Sequence, residues 1–155
     1  MILALQVLAD LGTTVYAGSV LAFTALMLFR GRVGPSERVV RVFRAWGPGQ
    51  GLAMGALILG HAGLYYVEMG AFEWAARSPA EIAVIVQHAV FVVLWFSSFH
   101  LEIWTLEPTR KLDVDGSITD RGAYERAARK ATIQLVVNSL LLLVCGGTGL
   151  YIDSL

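Results

Sequence analysis

Three histidines, His61, His88 and His100, stand inside long apolar runs. Ionisable side chains there are costly and normally face the interior of a helical bundle. His61 precedes Glu68 by seven residues, and His88 follows Glu81 by seven. At the helical rise each lies about 10 Å from a polar boundary. On antiparallel neighbours the two imidazoles would share one depth, as axial ligands of a b-type haem or as ligands of a metal ion. His100 is about 18 Å further along and about 120° around the helix from His88, so those two cannot share one ion. A hydrogen-bonded packing contact suits His100 best, a second site or a proton path being the alternatives.

Helical periodicity puts His88 on one stripe with Glu81, Phe91, Val92, Trp95, Phe99 and Glu102. Aromatic neighbours, Trp95 among them, suit a flat macrocycle. His61 shares a stripe with Met54, Ile58 and Tyr65, beside Gly47, Gly51 and Gly55. Small residues let helices approach closely or leave room for a cofactor plane, and close packing is the commoner reason. Asp10, the third polar residue at this depth, could orient a ligand histidine through its second ring nitrogen; alternatively it marks a solvated start of the first helix. Gln134 and Asn138 read as interhelical hydrogen-bonding groups. Cys145 is the single cysteine, so no internal disulfide forms, and no CxxCH exists for covalent haem attachment. No hydrolase triad, phosphate loop or HExxH motif appears.

The elements that carry these residues follow from composition. The 155-residue chain is 56% hydrophobic and 15% charged, against about 25% charged in ordinary soluble domains. Four apolar stretches, 2–29, 45–69, 80–106 and 131–152, are each long enough to span a bilayer, which takes about 20 residues. The expected fold is therefore all-α: a single transmembrane domain over 1–155, built as an integral membrane four-helix bundle. The first stretch reads as a retained helix, because it lacks a basic start and a small-residue cleavage site before Arg30. Loop 30–44 carries Arg30, Arg32, Arg38, Arg41 and Arg44; loop 107–130 carries Arg110, Lys111, Arg121, Arg126, Arg129 and Lys130; the intervening loop has Arg77 alone. The positive-inside rule makes loops 30–44 and 107–130 cytoplasmic and puts both termini on the non-cytoplasmic side, N-out/C-out, of a plasma (inner) membrane.

Pro35-Ser36-Glu37 signals a short interfacial amphipathic helix within the first loop, with Val39, Val40, Val42 and Phe43 among arginines. In the third loop Asp113–Ile118 resembles half of an EF-hand. Lys111 and Gly122 occupy its end positions, where calcium needs acids, so a solvated turn before a helix capped near Thr119 or Asp120 is expected. Leu59–Tyr65 parallels Cys145–Tyr151, and Tyr16–Ser19 lies over Trp95–Ser98. The bundle would then be two helical hairpins repeated in parallel.

The run from His88 through Trp95-Phe96-Ser97-Ser98, followed by Pro108, and the Gly-Leu-Tyr endings of the second and fourth helices resemble the copper-resistance protein D (CopD)-like membrane proteins. They also resemble the related HemJ-type four-helix haem proteins. The resemblance implies a bundle that holds copper or haem in the outer half of the membrane. The first helix lacks the histidine often found in that group, the chain is not rich in the Met and His that copper transport uses, and the HemJ-type pattern of basic residues near the haem is not evident, so catalysis is not carried over. The expected function is a b-type haem-binding membrane subunit, with His61 and His88 as ligands. It would pass electrons to a periplasmic redox partner or anchor a redox complex. The alternatives are a copper-handling CopD-like transporter and a cofactor-free structural or assembly subunit beside other membrane subunits. The formal net charge of zero offers no basic field for nucleic acid.

Overall fold

A computed structural model describes residues 1–33, 36–69, 78–114 and 117–153; Pro35 of the expected helix start, Asp115 and Gly116 of the expected turn, and residues 70–77, with Arg77, lie outside the described residues. Side chains from residue 148 onward, in the second copy of the Gly-Leu-Tyr repeat, lie outside them too. The described chain is almost wholly helical. α1 runs Ile2–Leu28, α2 Arg30–Val33, α3 Ser36–Met69 and α4 Pro79–His100. A π-helical segment, Leu101–Leu106, leads into α5, Glu107–Leu112, and α6 covers Arg121–Asp153. The only described strands, β1 Asp113–Val114 and β2 Ser117–Ile118, pair antiparallel, Asp113 opposite Ile118.

Local chemistry sets the helix starts. Ser78 and Glu81 form a reciprocal capping box: Glu81 N donates to Ser78 Oγ at 3.3 Å, and Ser78 N donates to Glu81 Oε2 at 3.0 Å. Pro79 follows at the first helical position, where no N–H is needed. Asp120 caps α6, as expected, its Oδ1 accepting from Ala123 N at 2.9 Å.

Three helical runs are long and apolar enough to cross a membrane: Ile2–Leu28, Glu81–Leu112 and Arg121–Gly147. α3 is longer still, but Gln50, His61 and its glycines interrupt its apolar face. The expected interfacial helix is not a separate element, since α3 continues unbroken from Ser36 through Pro48 into the second apolar stretch. The reason is packing. Val39, Val40 and Phe43 are buried against Phe23 and Met27 of α1 and Tyr124, Ala128 and Leu135 of α6. That stripe does not lie on a lipid surface. Much of the expected 107–130 loop is likewise helix, because Tyr124, Ala128 and Ala131 continue the buried face of α6 backwards from residue 131.

α1 packs along α3, α4 packs along α6, and α1 also rests on α6, whereas α3 and α4 scarcely touch. Two glycines set the α1–α3 approach. A Cβ on Gly12 would stand 2.8 Å from the Ala53 carbonyl oxygen, and one on Gly60 would stand 2.6 Å from Ala9 Cα. Polar ties fix α4 on α6: Ser97 Oγ donates to Asn138 Oδ1 at 2.6 Å, and Gln134 Nε2 donates to Ser97 O at 2.6 Å. Both α6 groups thus do the interhelical work read from the sequence. At the arginine-rich end, Arg41 donates to both Asp113 carboxylate oxygens at 2.7 and 2.8 Å, and Arg44 adds a bond at 2.9 Å. These bonds, Arg41's first, hold the Asp113 carboxyl below the ordinary aspartate range. Arg121 pairs with Glu37 at 2.8 Å across the same end.

Candidate functional site

Because α3 and α4 hardly meet, a slot of about 280 Å³ stays open between them, lined by Ile58, His61 and Ala62 from α3 and His88, Phe91, Val92 and Trp95 from α4. That is just below the roughly 300–1,000 Å³ of small-molecule and cofactor pockets. The lining is what the helical period predicts for one face of each helix. Gly51 and Gly55 of the small-residue stripe have no neighbour where a Cβ would stand, so there they leave space and do not pack.

His88 is the better defined of the two imidazoles. Its Nδ1 lies 2.7 Å from the Val84 carbonyl oxygen. A carbonyl only accepts, so Nδ1 carries a proton, and the neutral tautomer that this selects has its lone pair on Nε2. That Nε2 is buried and has no hydrogen-bond partner. A ring nitrogen fixed by a backbone carbonyl on its far side is how a metal-ligating histidine is usually held. Tyr65 and Phe91 meet the His88 ring edge-on, at centroid distances of 5.3 and 6.5 Å.

His61 lines the same slot, its ring 5.4 Å from that of Phe91. Its Nε2 shares a hydrogen bond of 3.3 Å with Thr13 Oγ1 on α1. Asp10, read from sequence either as orienting a ligand histidine or as a solvated start of the first helix, is exposed, and the hydrogen bond to His61 comes from Thr13, one turn further on. Trp95 forms a wall of the slot and is itself 48% exposed. His100 lies apart, exposed, with Nδ1 3.4 Å from Gln134 Oε1, the packing contact that suited it best.

Four buried side-chain atoms among the described residues lack partners: Gln50 Nε2, His88 Nε2, Glu102 Oε1 and Asn138 Nδ2. Native structures leave few such groups, and each asks for a reason. The first three line the groove between α3 and α4. Thr13 and Gln50 had no signal in the sequence beyond being polar in apolar helices.

No group of three or more His, Cys, Asp or Glu side chains converges among the described residues. A metal ion held by protein side chains alone usually needs three or four, whereas a haem iron needs at most two from the protein. Compared with protein-family models, curated proteins and solved structures, the chain matches none.

Proposed function

We propose that the chain is a b-type haem-binding subunit of a plasma (inner) membrane, with His61 and His88 as axial ligands. In this reading it is a four-helix bundle that spans the bilayer four times, N-out/C-out. It passes electrons to a periplasmic partner or anchors a redox complex. The observation that carries the proposal is the buried, lone-pair-bearing and unpartnered His88 Nε2 in an apolar slot shared with His61.

The membrane setting draws support from the outer surface, where Leu3, Leu52, Leu59, Phe96, Trp104 and Leu143 are each more than half exposed. In water such a face would be a large apolar patch; in lipid it is the ordinary exterior. The α1/α3 and α4/α6 pairing suits two hairpins in parallel. Arginine placement gives the direction.

The residues present would suit a haem with His61 ligating through Nδ1, because its Nε2 is held by Thr13. Val84 O fixes the His88 ring and keeps Nε2 available. Phe91, Trp95 and Ile58 supply apolar walls that keep water from the site. Thr13 restrains His61 from α1 and so couples that ligand to the α1–α3 contact. Bound haem would supply a one-electron redox centre, its potential set by the axial pair and by burial.

A reduced-minus-oxidised spectrum of the purified chain tests the reading. A b-type α-band is expected, abolished by His88→Ala and abolished or altered by His61→Ala. No band in the wild type, or a band untouched by both substitutions, overturns it; variants that change stability alone would leave the imidazoles as packing groups.

A further inference from the structure

The groove between α3 and α4 continues past Trp95 into a second recess toward the arginine-rich end. Gly47, Gln50, Gly51 and Met54 line it from α3, and Trp95, Ser98, Phe99 and Glu102 line it from α4 and the π-helical segment. Gln50 is 3% exposed, yet its Nε2 has no acceptor. Glu102 Oε1 is buried without a partner in the same recess. Its carboxyl group rests where a side chain on Gly47 would stand, one turn from Gln50. Glu102 reaches this place from the π-helical segment, in which Glu107 N donates to Glu102 O, and such widened turns recur at functional sites. Ser98 is already engaged, its Oγ hydrogen-bonded to Tyr16 OH at 2.7 Å. The recess thus presents an unmet amide donor and an unmet carboxyl group, and is also lined by Trp95 and Phe99, which are 48% and 59% exposed.

We propose that this recess binds the hydroxylated ring of a lipid-soluble quinol. The hydroxyl oxygen accepts from Gln50 Nε2, and the hydroxyl hydrogen is donated to Glu102 Oε1. One group that both accepts and donates thereby settles both orphans. Trp95 and Phe99 offer faces for the ring, and the apolar tail leaves along the open side of the groove. A single bridging water would satisfy the same atoms, but the recess has a cavity volume of about 80 Å³, against the roughly 10–15 Å³ that one water needs by the same measure, and most of its lining is apolar. The inference rests on the membrane reading, because the recess must open to lipid, and does not depend on the haem.

The test titrates the full chain in mild detergent with 2-decyl-1,4-benzoquinol under reducing conditions and follows tryptophan emission. Saturable quenching is expected, reduced in Trp95→Phe. Gln50→Leu, Glu102→Leu and, on the wild-type protein, the dimethyl ether of the same quinol should each bind about tenfold more weakly or worse. The ether needs no variant to fold. If it binds as tightly as the quinol, or if neither polar substitution weakens binding, the recess is only a greasy groove and the proposal fails. A chain with a haem band that does not distinguish quinol from ether sinks this inference alone; a chain without a band that does distinguish them sinks the haem alone.

Discussion

At the residue scale, the two slot histidines are held differently, and their substitutions should differ. His88 is anchored by its own helix at Val84 O, so its ring orientation survives small movements between helices. His61 depends on Thr13 across the α1–α3 contact. Thr13→Val, which keeps shape and loses the hydroxyl, should cost about 1 kcal/mol of stability and leave haem content near that of the wild type. Thermal unfolding and the Soret-to-protein absorbance ratio check both. Asp10→Asn should change neither, because Asp10 is exposed. At the arginine-rich end, the Asp113 carboxyl is depressed by Arg41 and then Arg44. A carboxyl with a lowered folded pKa stabilises above its unfolded value, here about 3.8, and that stability is lost as pH falls through the folded value. Asp113→Asn should therefore lower the unfolding midpoint by a few degrees at pH 7 and flatten part of the acid limb below about pH 4, read by thermal unfolding across pH. The histidines and Trp95 were legible because helical period alone assigns a face. The exchange of Asp10 for Thr13 was not, since both lie on one side of α1. Only the register fixed at Gly12 and Gly60 decides which of them meets His61.

At the element scale, glycines do opposite things according to where they sit on α1 and α3. Gly12 and Gly60 permit backbone approach; Gly51 and Gly55 border open space. Gly12→Ala and Gly60→Ala should each cost about 1–3 kcal/mol through overpacking, whereas Gly51→Ala should stay within about 0.5 kcal/mol. Unfolding midpoints of the three variants in one detergent give the comparison, and equal losses would contradict the assignment. Composition shows that small residues line a helix but not whether a neighbour comes close, so the sequence favoured packing for the Gly47–Gly51–Gly55 stripe. The continuity of α3 was hidden for a related reason. An arginine-rich stretch with Val39, Val40 and Phe43 reads equally as a lipid-surface helix or as a helix seated on α1 and α6, and the partner that decides, Tyr124, lies far along the chain.

At the scale of the whole molecule, the proposed direction across the membrane rests on the arginine-rich end that carries the Asp113 clasp. With Cys145 replaced by Ala, a cysteine placed at exposed Ser117 should resist a membrane-impermeant maleimide in intact cells and react after lysis. One placed at Ile2 should react in both. The reverse pattern would invert the proposed topology. Charge placement is what predicts that direction, and apolar run lengths made the helices legible. The loose α3–α4 seam was not, because it depends on how all four helices share their faces. That seam holds the histidines, and the most direct measurement of its role is the haem content of the purified full chain, set against protein concentration by the pyridine haemochrome. About one haem per chain, falling to background in His88→Ala, is the predicted result. A wild-type chain purified from haem-replete membranes with no bound haem would contradict it.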